Sequence, residues 1–365
     1  MTYLIRNIPH LSYKILCILV TAGMVFYWII EYNRNADITL VEYKFFETMD
    51  NAIHPELSIC FENPFIDERL KEINSALNGQ DYLRYLRGEI LGNESYQRIN
   101  YDNVTVDLEE YIVGIDIQRF NGSSPMYCSN SHNCEFVKFE SIANGFISSY
   151  QFYKCFGMQL NKDYANDISI ITLTFNASFR GLLTNLGAVY GTFIYPQQFI
   201  QSLYGYRIWK NLNETINAPF LKPEKLEILK RRNKQKEPCF LEWNEFDDFI
   251  LHKHIENVGC RAPYIKRYKN FPLCNTQKQM QNSVFDMMGM NKKYPPPCQG
   301  ISHLALQNVP FHIADFFGNI SLMNSPILMI GYLDKMKIIT QSRLIDGQSL
   351  VGYIGGYVGL FLGKI

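Results

Sequence analysis

Tyr13 to Ile30 reads YKILCILVTAGMVFYWII, eighteen residues in which Lys14 is the only charge. As a helix this run rises roughly 27 Å, close to the hydrocarbon thickness of a bilayer. Lys14 sits at its edge, where its stem can carry the ammonium to the headgroups. Arg6 and Lys14 lie at the N-terminal side, and Glu31, Arg34 and Asp37 come after the run. That asymmetry predicts a first transmembrane helix over 13–30, with residues 1–12 cytoplasmic. A secretory signal peptide is the competing reading. Its apolar core would be unusually long, and no A-x-A-like cleavage site follows Ile30.

The chain beyond Ile30 belongs in an oxidising compartment. Of nine cysteines, Cys17 lies inside the apolar run. The other eight (Cys60, Cys128, Cys134, Cys155, Cys239, Cys260, Cys274 and Cys298) form an even set, as a disulfide framework requires. Six N-x-S/T glycosylation sequons begin at Asn93, Asn103, Asn121, Asn176, Asn213 and Asn319. Both sets fall within 31–348, which predicts that this segment is extracellular. With 35 basic and 35 acidic residues there is no global field to attract nucleic acid, and none is expected as a partner.

Between the membrane borders, segments that alternate or run apolar predict strands over Glu56–Phe61, Asp167–Phe179, Val189–Tyr195, Ile327–Leu333 and Lys335–Thr340. Helical periodicity appears in Ile66–Leu77, Asp81–Ile90 and Leu241–Val258. Asn275 or Thr276 is placed to N-cap another helix through Phe285 to Met288. Strands and helices are interspersed, so the expected class is α+β rather than a repeating βαβ array. The basic run Lys230, Arg231, Arg232, Lys234, Lys236 lacks the interleaved aromatics of a nucleic-acid patch and reads as a solvated strand or loop. His252 and His254 lie near Cys239 and Cys260, but the spacing matches no closed zinc site, and neither metal nor cofactor is expected. The chain contains no G-x-S-x-G, H-E-x-x-H, P-loop or dinucleotide fingerprint.

Ser349 to Leu362 reads SLVGYIGGYVGLFL, a fourteen-residue uncharged stretch that would rise only about 21 Å as a helix. Gly352 and Gly356, and again Gly355, Gly359 and Gly363, recur every fourth residue. On a helix they make two small-residue faces that permit close packing in lipid. The expectation is the first part of a second transmembrane helix over 349–365, cut short where the sequence stops.

Three stretches resemble signatures of the epithelial sodium channel/degenerin family, the amiloride-sensitive sodium channels and their acid-sensing relatives. HPELSICFENPF (54–65) resembles the strand that follows the first span, F-P-A-V-T-I-C-N-x-N-P-F. YKCFGM (153–158) resembles the Cys-Phe element that returns to the same sheet. LVGYIGGYVGLFLG (350–363) is similar to the opening of the second span, L-x-x-D-I-G-G-x-x-G-L-F-x-G. The chain departs from the family in three places. No His-Gly motif precedes the first span, with His10-Leu11 the nearest echo. Tyr353 replaces the acidic residue before I-G-G. Gly363 matches the glycine of the G-x-S filter, but Lys364 and Ile365 replace the rest.

The resemblance implies a trimer, homomeric or heteromeric, at the plasma membrane, with two spans per subunit. Its ectodomain would be shaped like a hand, with a β-sheet palm and helical fingers and thumb. It further implies four bridges: Cys60–Cys155 across the palm, Cys128–Cys134 in the finger region, Cys239–Cys298 and Cys260–Cys274 in the thumb. Sodium would pass a pore lined by the second spans, where Gly352, Tyr353, Gly355, Gly356, Gly359 and Gly363 stand at pore and gate positions. Gly352 matches the position at which degenerin-type mutations introduce bulk and hold the pore open. An extracellular stimulus such as a proton or peptide would open it, and no catalysis is expected. A type II membrane glycosyltransferase shares the anchor, bridges and sequons, but Asp247-Asp248 is a poor substitute for its D-x-D motif. A single-pass receptor that binds a ligand without conducting is the other alternative.

Overall fold

The computed structural model describes residues 2–45, 56–92, 94–122, 124–145, 153–161, 168–185, 187, 189–194, 206–209, 217–234, 237–265, 267–312 and 325–362. Helices in chain order are α1 (Thr2–Arg34), α2 (Asp67–Ile73), α3 (Gly79–Leu86), α4 (Glu94–Gln97), α5 (Tyr101–Val104), α6 (Ala177–Asn185), α7 (Trp243–Val258), α8 (Gln277–Lys293) and α9 (Gly347–Leu362). The first strands are β1 (Asp37–Phe45), β2 (Glu56–Phe61), β3 (Ile112–Arg119), β4 (Met126–Cys128), β5 (Val137–Gly145) and β6 (Tyr153–Leu160). The others are β7 (Ile168–Phe175), β8 (Val189–Ile194), β9 (Tyr206–Trp209), β10 (Asn217–Lys230), β11 (Gln299–His312), β12 (Ile327–Gly331) and β13 (Lys335–Arg343). The class is mixed α+β.

Two compact units divide the chain. One comprises Met1–Val41, Lys230–Arg232 and Ile339–Ile365, and the other Glu42–Leu229 and Asn233–Ile338. Stretches 31–41, 230–232 and 339–348, assigned to the ectodomain by sequence, thus group with the two terminal helices.

In the larger unit, strands in the order β13-β10-β12-β7-β3-β4 form one sheet, with β11 also beside β10. A second sheet has the order β5-β6-β2-β8-β9. Strand period explains how both sheets feed one core. Leu57, Ile59 and Phe61 alternate along β2 and pack with Ile115, Ile171, Leu173 and Leu328 of the other sheet. On β12, Leu328 and Ile330 join that core while Ile327 and Met329 pack on the opposite face with Ile170 and Phe220. β2 is buried along its whole length, the polar Glu56 and Ser58 of its other face included.

A second core joins α2, α3 and α5 to α7 and α8. Its centre is aromatic: Tyr85 stacks on Tyr96 at 5.0 Å, and Phe65 meets the Tyr82 ring edge-on at 4.8 Å. Thr276 and Gln279 form a complete capping box at the start of α8. Gly259 ends α7 with φ +77, a left-handed turn that glycine adopts without a Cβ clash, and its N–H donates to Ile255 O at 2.8 Å.

Three predicted elements are corrected by local polar groups. The strand expected over Asp167–Phe179 ends at Phe175, because Asn176 caps α6, its Oδ1 accepting from Phe179 N and Ser178 Oγ at 3.0 Å each. The Ile66–Leu77 helix stops at Ile73, where Asn74 turns extended and its Oδ1 accepts from Ala76 N. The Asp81–Ile90 helix starts earlier, because Asn78 is its N-cap and accepts from Asp81 N at 2.8 Å.

Candidate functional site

The apolar run lies inside α1, whose Ser12–Arg34 portion is the one helix among the described residues long and apolar enough to cross a membrane. Cys17 and Thr21 are buried one turn apart, and Thr21 Oγ1 donates to Cys17 O at 2.8 Å, so the hydroxyl is satisfied within the helix. α9 lies against α1. Its less exposed positions, Leu350, Ile354, Tyr357 and Phe361, follow i, i+4, i+7, i+11 spacing and so form one helical face.

The glycines occupy the rest of the circumference. Gly352, Gly355, Gly356 and Gly359 are exposed, and a Cβ added at any of them would meet nothing within 4 Å. They are therefore not what lets α9 approach α1. Tyr353 stacks on Trp28 with ring centroids 4.1 Å apart and planes 8° from parallel. Gly363 lies outside the described residues.

The eight cysteines form four disulfides: Cys60–Cys155, Cys128–Cys134, Cys239–Cys298 and Cys260–Cys274, with Cα separations of 4.0, 5.3, 5.0 and 5.0 Å. Cys17 is a free thiol. Antiparallel register puts Cys60 directly opposite Cys155 on β2 and β6. One apolar helix able to cross a membrane, attached to a bulk stapled by four disulfides, is the composition of a membrane protein with an ectodomain.

Among the sequons, Asn93, Asn213 and Asn319 lie outside the described residues. Asn103 and Asn121 are exposed. Asn176 is half-buried, its oxygen spent on the α6 cap and its amide nitrogen directed at Glu110 O, 3.5 Å away. Peptide mass spectrometry after enzymatic deglycosylation is expected to find glycan marks at Asn103 and Asn121 and none at Asn176. A fully occupied Asn176 would contradict its role as a cap.

No group of three or more His, Cys, Asp or Glu residues placed to hold a metal occurs among the described residues. His254 is enclosed between α7 and α8. Its Nδ1 lies 2.9 Å from Asp286 Oδ2 and its Nε2 3.0 Å from Ser283 Oγ. A Ser-His-Asp set is thereby assembled, but His254 and Ser283 are 0% and 1% exposed, so nothing can reach the hydroxyl. Burial pushes the His254 pKa below its ordinary value, against the pull of Asp286. The native state thus resists a proton that the unfolded chain takes up below about pH 6.5. Stability contributed by neutral His254 is complete above that pH and is lost as pH falls from there toward the lowered native pKa. Urea unfolding between pH 7.5 and 5.5 is expected to show a slope of up to about 1.4 kcal/mol per pH unit from this residue. His254→Gln should flatten it, and an unchanged slope would assign the effect elsewhere.

Sequence reasoning missed three contacts of the smaller unit. Arg232 donates to Asn35 Oδ1 at 2.7 Å and pairs with Asp37 at 2.9 Å, and Arg343 lies 3.5 Å over the Tyr32 ring. Arg232 and Asn35 are 197 residues apart, and nothing local in either segment signals the pairing. Compared with known proteins, the chain matches no family model and no curated protein.

Proposed function

We propose that this chain is a subunit of a trimeric, sodium-selective channel of the epithelial sodium channel/degenerin type. It would sit in the plasma membrane with two spans, a cytoplasmic N-terminus and a hand-like extracellular domain. The observation that carries this reading is the pairing of α1 with a glycine-bearing α9 whose glycines are left uncovered by its own chain. A helix that packs one apolar face on its own subunit and keeps a small-residue face free suits a pore built from several copies.

Strand β1 supports the same reading. Ile38, Leu40, Val41, Tyr43 and Phe45 are 39% to 68% exposed, on a strand at the end of its sheet. Exposed apolar edges of this kind mark surfaces that contact another chain or the membrane. Neighbouring subunits would bury β1 and bring the α9 helices together. Selectivity would then come from a narrow ring of glycine backbone and small side chains that replaces part of sodium's hydration shell. Opening would be a population shift, in which an extracellular ligand binds one state of the ectodomain more tightly.

The test is electrical. Cells that express the protein at their surface are expected to carry a sodium current that bulk at Gly352 makes constitutive. A surface-expressed protein that never conducts would overturn the proposal.

A further inference from the structure

The rim where α1 ends is formed by Glu31–Asp37, Lys230–Arg232 and Arg343–Asp346, all of the smaller unit. It holds five basic residues and three carboxylates. Arg34 pairs with Glu31, Arg232 with Asp37, and Arg343 spends its guanidinium on the ring and carbonyl of Tyr32. Asp346 accepts from Ser349 N at the start of α9. Lys230 is half-buried and Arg231 exposed, and neither has a carboxylate partner among the described residues.

The helix axis fixes the depth of these two cations. Ser12–Arg34 spans about 34 Å as a helix, slightly more than the hydrocarbon core, so its C-terminal end reaches the headgroups. Tyr27, Trp28 and Tyr32 occupy its last two turns, the level at which aromatic side chains favour the interface. Arg232, clamped to Asn35 and Asp37, holds the adjoining backbone of Arg231 at this same level. We infer that Lys230 and Arg231 form a docking site for the phosphate of an anionic lipid headgroup at the rim of the span.

The chemistry favours a phosphate over other occupants. Two cations without a carboxylate partner among the described residues, beside an apolar helix, match an anionic headgroup whose acyl chains continue along that helix. Guanidinium geometry suits two phosphate oxygens at once. Because the Arg232 clamp orders this segment beforehand, little ordering cost remains when the lipid arrives. The inference rests on the membrane reading of α1 proposed above.

Its test uses the full chain in nanodiscs. Brominated phosphatidylglycerol and brominated phosphatidylcholine quench Trp28, and competition between them yields a relative association constant. Each basic residue near an anionic surface is worth about fivefold in binding. Phosphatidylglycerol is therefore expected to be preferred by at least about fivefold at low salt. The Lys230→Gln/Arg231→Gln variant should lose the preference, and Arg231→Lys, which keeps the charge but not the fork, should keep part of it. No preference, or one retained in the double variant, overturns the inference. So does loss of the preference to inorganic phosphate at matched ionic strength, because the site would then take the free anion. Release of the chain by alkaline carbonate would instead sink the membrane reading itself, an outcome separable from lipid indifference in a chain that stays integrated.

Discussion

Removing the Cys60–Cys155 bridge is expected to cost the folded chain about 4.7 kcal/mol from loop-closure entropy alone. The two cysteines are 95 positions apart in sequence, so the bridge deletes much of the freedom of the unfolded chain. Both residues are also fully buried at the centre of the five-stranded sheet, on facing positions of β2 and β6. A Cys60→Ala/Cys155→Ala variant therefore loses packing as well as the crosslink. Against a typical total of about 5–15 kcal/mol, that loss can unfold the larger unit at body temperature. The control is Cys128→Ala/Cys134→Ala, whose bridge spans only 6 positions and should cost about 2.4 kcal/mol. Urea midpoints of the full chain in detergent distinguish them. Equal losses in the two double variants would mean that native packing, rather than chain entropy, sets the worth of the bridges.

How much of the fold is legible in the sequence depends on the range of the interaction. β12 is buried on both faces and its apolar run marks it clearly, whereas β2 shows itself by the alternation of Leu57, Ile59 and Phe61. The α8 start is equally plain, because Thr276 and Gln279 carry a capping box within four residues. β3 is harder to read: within Ile112–Arg119 only Ile115, Asp116, Ile117 and Gln118 alternate strictly, too short a signal by itself, and the strand is fixed by pairing with β7 about fifty to sixty residues away. The candidate site divides in the same way. The glycine spacing of α9 is local and reads directly, whereas the Arg232–Asn35 clamp joins segments 197 residues apart and the Trp28–Tyr353 stack segments still farther apart. Periodicity reports one element at a time and cannot see such partners.

Substituting Gly352 with a bulkier residue is expected to convert a stimulus-dependent sodium current into a constitutive one. Within a single chain the position is open, since a Cβ there meets nothing within 4 Å. Gly352→Val should consequently leave folding and surface delivery intact, and replacing glycine in a helix even favours the helical state. Any effect on current must then arise where α9 helices of different subunits approach one another. In a closed pore those helices would be near enough that a side chain at residue 352 has no room, and an open arrangement would relieve the clash. A population held at 99:1 closed needs about 5.5 kcal/mol of differential strain to become 99:1 open, which three symmetric clashes of about 2 kcal/mol each would supply. Gly352→Ala provides the graded case, with a smaller shift toward opening. The measurement is whole-cell current in sodium, with potassium substitution to establish selectivity and a reactive thiol probe on Gly352→Cys. Covalent modification at that cysteine should lock the current on. A current indifferent to both bulk and modification would place Gly352 on a lipid-facing side of α9, and the subunit arrangement proposed for this chain would fall with it.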